Sequence, residues 1–167
     1  GVTLPEAVAA LAASTLLSGP AAAPTAGLAA LRPHGEDSFI TVDMGGTSFD
    51  AALVVGGAPS ITTSSSVSRF ALALPSMDIV TIGAGGGSIA WIDDGLLKMG
   101  PQSAGADPGP ACYGRGGTEP TCSDANLVLG YLSPDFFAGG RMRLDAGAAR
   151  AAIERGVGAA LGMDTVR

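Results

Sequence analysis

Between Ile40 and Val55 the chain reads Ile-Thr-Val-Asp-Met-Gly-Gly-Thr-Ser-Phe-Asp-Ala-Ala-Leu-Val-Val, and this stretch leaves few folds open. Ile40, Val42 and Met44 alternate with Thr41 and Asp43, and Ala51, Leu53 and Val55 alternate again beyond the glycines. A period of two on each side of Gly45-Gly46 predicts a strand, a tight turn and a second strand. With no Cβ on either glycine, successive backbone N–H groups can converge on an anion. Thr47 and Ser48 add hydroxyl donors, and Asp43 and Asp50 flank the turn, where carboxylates can hold a magnesium ion bound to phosphates. A plain β-hairpin also accounts for Asp-x-Gly-Gly. The added Thr47 and second carboxylate favour a phosphate site.

At 167 residues the chain is long enough for one well-packed domain. Hydrophobic residues make up 47% and charged residues 14%, a balance that excludes disorder and requires a large buried surface. The formal charge of −6 argues against a nucleic-acid partner. Ala7 to Leu31 carries no charge, yet Ser18-Gly19-Pro20 and Pro24 break it, and no basic stretch precedes it. It therefore reads as neither a membrane span nor a signal peptide. Cys112 and Cys122 have no metal-ligand spacing and read as reduced thiols of a cytosolic protein. Cys112 sits among glycines, where a nucleophile is conceivable, but the one histidine, His34, lies far away in a polar loop.

The remaining elements follow from caps and periodicity. Thr3 is expected to cap a helix reaching Ala13, Thr15 to Leu17 to form a brief strand, and Pro24 to Leu31 a second helix. Pro59 to Ser66 reads as a polar edge strand, Phe70, Leu72 and Leu74 as core-facing, and Met77 to Ile82 as a further strand. The run Gly83-Ala-Gly85-Gly86-Gly87-Ser88 is not a dinucleotide fingerprint, since Ser88 takes the third glycine position. It suits either contact with a nucleotide or substrate, or a tightly packed loop. Ile89 and Trp91 lead into an Asp93-Asp94-Gly95 hairpin turn, with Trp91 expected in the core.

Gly100 to Thr121 holds four prolines and no apolar period, so it reads as a long loop of the kind that carries function. Gln102, Ser103, Asp107, Tyr113 and Arg115 are its polar groups. Arg115 suits a phosphate or carboxylate, or an internal pairing with Asp107. Ser123 or Asp124 is expected to cap a helix to Tyr131, with Asp124 and Asn126 as anchors. Asp145 caps a last helix that Gly162 ends. No repeat or linker divides residues 1–167, which predicts a single α/β domain.

The run Asp43 to Asp50 resembles the second phosphate-binding hairpin of the hydantoinase A/5-oxoprolinase family, within the superfamily of sugar kinases, actin and Hsp70 chaperones. Thr81 to Trp91, Gly100 to Gly117 and Asp124 to Gly130 resemble the same family's other distinctive runs, in the same order and spacing. The resemblance implies a ribonuclease H-like half-domain, belonging to the second nucleotide-binding half of a longer subunit. It implies ATP and Mg2+, with Asp43 as metal ligand and Asp43 and Asp50 catalytic. Phosphate contacts would come from Gly45, Gly46, Thr47, Ser48, Gly85, Gly86, Gly87 and Ser88, and substrate or loop contacts from Asp107 and Arg115.

The activity it implies is ATP-dependent opening of a cyclic amide, such as a hydantoin, 5-oxoproline or another lactam, in the cytoplasm. A hydantoinase B-like partner subunit and homo-oligomerisation are implied with it. A ketone carboxylase of the acetone or acetophenone type is the neighbouring alternative. A non-catalytic nucleotide-binding scaffold is the alternative of a different class.

Overall fold

The computed structural model describes residues 4–67 and 70–164. They fall into two compact units, one comprising Gly1–Asp43 with Asp50–Thr81, the other Met44–Phe49 with Ile82–Arg167.

In the first unit, helix α1 (Pro5–Ala10) follows Leu4, with Pro5 at the position where a missing N–H costs nothing. Thr3, the expected cap, lies outside the described residues. The strand expected at Thr15 to Leu17 is absent. Ala12–Thr15 is a 3-10 turn, in which the Ser14 and Thr15 hydroxyls donate to the carbonyls of Leu11 and Ala12 at 2.7 and 2.8 Å. Such local bonding competes with extended structure. Helix α2 (Ala22–Leu31) starts two residues before Pro24, which lies buried in its first turn. Gly27 on α2 faces Phe39, so closely that an added Cβ would lie 2.5 Å from the ring.

Strand β1 (Phe39–Met44) pairs with β2 (Phe49–Val55), which also pairs with β3 (Ala58–Pro59). Gly56 and Gly57, with φ of 57° and 75°, turn β2 into β3. The run 59–66 is not one strand. It breaks into β4 (Ile61–Thr62) and β5 (Ser65–Val67), which pair with β7 (Ser76–Met77) and β6 (Phe70–Leu72). Between β4 and β5 the Ser64 N–H donates to Thr62 Oγ1 at 3.2 Å, which curls the chain. Phe70 was expected to face a core but is 77% exposed, because β5 and β6 form only a two-stranded ribbon; the Leu72 side chain lies outside the description. Strand β8 (Ile79–Ile82) completes the sheet on β2. Along β2, Ala52 and Val54 are buried while Leu53 and Val55 are exposed, and Ile40, Val42 and Val80 on the neighbouring strands are exposed too.

In the second unit, β9 (Ser88–Asp93) and β10 (Leu96–Ser103) form an antiparallel hairpin with Leu96 opposite Asp93 and Lys98 opposite Trp91. Asp94 and Gly95, with φ of 47° and 75°, supply the positive φ values that a two-residue hairpin turn needs. β10 runs on through Gly100, so its last residues occupy the start of the stretch read as a loop. Trp91 is not a core residue: its ring lies partly exposed and its Nε1–H donates to the Gly100 carbonyl at 2.8 Å.

Asp124 holds the rest of that loop from within. Fully buried, its carboxylate accepts from the N–H groups of Ala111, Cys112 and Thr121 at 3.3, 2.7 and 2.9 Å, and from the Thr121 hydroxyl at 2.7 Å. Helix α3 (Cys122–Val128) is therefore capped by Thr121, not by Ser123 or Asp124; Asp124 is the third-residue partner in a capping box. Cys112, Leu127, Leu144 and Ala149 form the core, with Tyr113, Leu132 and Phe137 packed against it. Asp145 caps helix α4 (Ala146–Ile153) as expected, accepting from the Ala148 N–H at 2.9 Å. The helix widens into a π turn over Glu154–Gly158 and closes as α5 (Ala159–Leu161) at Gly162, whose φ is 63°. Among the described residues no helix is long and apolar enough to cross a membrane.

Replacing Asp124 with Ala would strand several buried donors at once, each worth about 1–3 kcal/mol when left unsatisfied. We expect Asp124→Ala to lower stability by about 3–5 kcal/mol in urea titrations followed by circular dichroism. Asp124→Asn, which keeps one acceptor oxygen, should lose less.

Candidate functional site

The turn between β1 and β2 closes on itself through the Gly45 N–H, which donates to the Ser48 carbonyl at 2.9 Å. Its other carbonyls are held by the glycine loop before β9. The Gly86 and Gly87 N–H groups donate to the carbonyls of Gly45 and Gly46 at 2.9 and 2.7 Å, and the Ser88 hydroxyl donates to that of Thr47 at 3.1 Å. The Ser103 hydroxyl adds a bond to the Gly46 carbonyl at 3.3 Å. In a trans peptide the C=O of one residue and the N–H of the next point in opposite directions. Carbonyls of Gly45 and Gly46 fixed towards the glycine loop therefore turn the N–H groups of Gly46 and Thr47 away from it.

Gly85 and Gly87 of that loop are required by contact. A Cβ at Gly85 would lie 2.5 Å from the backbone nitrogens of both Thr47 and Ser48, and one at Gly87 would lie 2.9 Å from the Gly46 carbonyl oxygen. Gly85, Gly86, Gly87 and Ser88 thus pack against the turn. The Gly86 and Gly87 N–H groups and the Ser88 hydroxyl have their partners among the turn's carbonyls.

The other expected residues are distributed as follows. Asp43 is exposed on β1 and Asp50 is buried on β2, each one residue in from the turn-side end of its strand. Asp50 accepts from the Thr81 hydroxyl at 2.6 Å. Asp107 and Arg115 are both exposed and do not pin each other; Arg115 Nη1 donates to the Ala106 carbonyl at 3.4 Å. No group of three or more His, Cys, Asp or Glu side chains among the described residues is placed to hold a metal ion. Magnesium held mainly through phosphates needs only one or two protein carboxylates, a demand that the exposed Asp43 fits.

Both cysteines are free. Burial, reinforced by the nearby Asp124 carboxylate, pushes the Cys112 thiol up to about 12, and burial also raises that of Cys122. At neutral pH both are thiols, and neither is an activated nucleophile.

Beside the turn lies a cleft of about 530 Å³ within the second unit. Gly45, Gly46 and Thr47 border it, Ser103, Ser123 and Asn126 supply its side-chain polar groups, and Tyr113, Leu132 and Phe137 its apolar wall. The Tyr113 and Phe137 rings stack at a tilt, 5.6 Å between centroids. Burial raises the Tyr113 phenol, opposed by its hydrogen bond to Ser123. Sequence reasoning missed Leu132 and Phe137, which lie in an aperiodic stretch. It took Asn126 for a loop anchor, which its carbonyl is, accepting from the Tyr131 and Leu132 N–H groups at 2.9 and 3.2 Å.

A paired test isolates the glycine contact. Gly85→Ala should cost about 1–3 kcal/mol in denaturant unfolding, as overpacking against backbone does. Gly83→Ala, where an added Cβ meets nothing within 4 Å, should stay within about 0.5 kcal/mol of the parent.

The chain is similar to several known proteins. Over 157 residues, 93% of the chain, it is 50% identical to the caprolactamase subunit alpha of Pseudomonas jessenii, of which it spans 23%. The crystal structure of the ATP-dependent caprolactamase from that organism superposes with a TM-score of 0.71 at 49% identity, covering 89% of this chain and 22% of that one. A nucleotide-free structure of acetone carboxylase, from a study of ATP-dependent acetone carboxylation, gives a TM-score of 0.73 at 34% identity, covering 90% and 22%. The chain thus spans less than a quarter of the length of these relatives. The Hydantoinase/oxoprolinase family model matches residues 1–166, and the chain belongs to that family.

Proposed function

We propose that this chain carries the phosphate-holding turn of an ATP-dependent hydrolase acting on cyclic amides. The observation that carries the reading is the turn itself, whose carbonyls are fixed by the glycine loop so that the Gly46 and Thr47 N–H groups face the other way. Donors fixed before the reaction need no reorganisation as charge develops, which is where electrostatic catalysis gains most. In this reading Gly46, Thr47 and Ser48 receive the terminal phosphates of ATP. Asp43 would hold a magnesium ion, which would neutralise phosphate charge. Asp50, bonded to Thr81, orients the attacking oxygen or water. Arg115 and Asp107 remain substrate or loop contacts.

The amide oxygen attacks the terminal phosphorus, and the bond from phosphorus to ADP breaks. Water then adds to the activated carbon and the C–N bond opens, the ring nitrogen leaving as an amine with a proton from that water; the acyl phosphate left behind is cleaved by a second water to carboxylate and inorganic phosphate. The fold would be of the ribonuclease H-like kind found in actin, Hsp70 and sugar kinases, with this chain in the second nucleotide-binding half of a longer cytoplasmic subunit. That subunit would work with a hydantoinase B-like partner and as a homo-oligomer. Activation of a ketone for carboxylation is the second reading, supported by the likeness to acetone carboxylase. The higher identity to the caprolactamase favours the lactam.

The test is Asp43→Asn in the intact enzyme, with ATP hydrolysis measured against lactam and magnesium concentration. Turnover should fall by about 100-fold or more and should not return at high magnesium. Unchanged turnover would remove Asp43 from the chemistry. Stimulation by ketone and bicarbonate, with none by lactam, would select the carboxylase.

A further inference from the structure

The sheet of the first unit carries its larger apolar side chains on the face that is left exposed. Phe39 on β1 faces Gly27 of α2, so Phe39 and Thr41 belong to the covered face and Ile40 and Val42 to the opposite one. On β2, Asp50, Ala52 and Val54 are buried, and Thr81 of β8 bonds to Asp50, which leaves Leu53, Val55 and Val80 on the far face. Ile40, Val42, Leu53, Val55 and Val80 are each between 46% and 67% exposed. Within the first unit, Ala51 is the one other outward position on these three strands, so the face holds no charge and no hydroxyl.

That distribution is the reverse of what a self-contained unit needs. Among its described residues, the first unit buries only Pro24, Asp50, Ala52 and Val54, while its branched apolar side chains point outward. Reversible interfaces are about as apolar as the rest of a protein surface. A face with no polar side chain at all has the composition of an interior, and it fits a permanent cover. Its dimensions fit one helix. β1 and β8 both pair with β2, and three strands side by side span about 10 Å between the outer axes. The seven residues of β2 run about 23 Å. A helix is about 10 Å across, and about 15 residues of it cover that length.

The relatives have polypeptide enough to supply such a helix: this chain spans 23% of the caprolactamase subunit alpha and 22% of each of the two solved structures. Resting on the reading of residues 1–167 as part of a longer subunit, and on none of its chemistry, we propose that the exposed face of this sheet is an internal docking surface. Its occupant is an amphipathic helix from the part of the same polypeptide outside residues 1–167. That helix presents an uncharged stripe of apolar side chains three and four residues apart. Leu53, on the middle strand, lies at the centre of the contact, with Val42 and Val80 on the strands beside it.

The experiment uses the intact protein. Leu53 is replaced by the photo-crosslinking residue p-benzoylphenylalanine, and the cross-linked product is sized and its joined peptides are sequenced by mass spectrometry. In parallel, Val42→Cys and Val55→Cys, which are small enough to leave the packing in place, are alkylated in the native protein and in urea. The cross-link should keep the mass of one subunit and join position 53 to a residue outside 1–167. Each introduced thiol should react at least about 100-fold more slowly in the native protein than in urea. A product of twice the subunit mass would make the occupant a second copy, and a product with a different polypeptide would make it a partner subunit; either would overturn the proposal. Cross-links confined to residues 1–167 would overturn it as well. So would native alkylation within about tenfold of the rate in urea, which marks a bare face. An intact protein no longer than 167 residues would overturn the longer-subunit reading and the proposal together, whereas a lack of lactam-driven ATP hydrolysis would bear on the proposed chemistry alone.

Discussion

Backbone bonded directly to backbone is the constraint on which the second unit's candidate site depends. The carbonyls of Gly45 and Gly46 meet the N–H groups of Gly86 and Gly87 at 2.9 and 2.7 Å, an approach that leaves no room for a side chain at Gly85 or Gly87. This contact orients the turn, because fixing a carbonyl also fixes the N–H of the next residue. A turn with its donors set in this way holds an arrangement that a free glycine loop would adopt only at an entropic cost.

Charge is placed in opposite ways in the two parts of the second unit that matter most. Asp124 is wholly buried, and the N–H groups of Ala111, Cys112 and Thr121 converge on it. Those bonds tie the loop, the start of α3 and the core residue Cys112 to one carboxylate. The same carboxylate helps to keep the Cys112 thiol protonated. The neighbouring cleft has no charge in its lining at all. The structure thus uses an ion where it ties several segments together.

Much of this was legible in the sequence. Strict alternation gave away the hairpin around Gly45-Gly46, and Asp94-Gly95 the second one, because a two-residue turn leaves little freedom of register. Asp145 and Gly162 bounded the last helix for ordinary capping reasons. Other features were hidden by physics that a linear reading does not contain. Gly100 and Pro101 masked the end of β10 because their composition is that of a loop. Thr121 was passed over as a cap because both partners of a capping box resemble caps. The glycines at 85–87 could not be assigned to ligand or packing, since both demand the same absence of a Cβ. Phe137 and Leu132 join the cleft only through tertiary packing on the Cys112 core.

The central claim is that the turn's donors are set in advance and that the glycine loop sets them. Residue-resolved amide hydrogen exchange, with and without magnesium and a non-hydrolysable ATP analogue, tests it most directly. The account predicts that the Gly86 and Gly87 amides are protected from the outset and unchanged by nucleotide, while those of Gly46 and Thr47 become protected only when nucleotide is added. Fast exchange at Gly86 and Gly87 that slows on nucleotide binding, with no change at Gly46 and Thr47, would contradict it and move the phosphate contacts to the glycine loop.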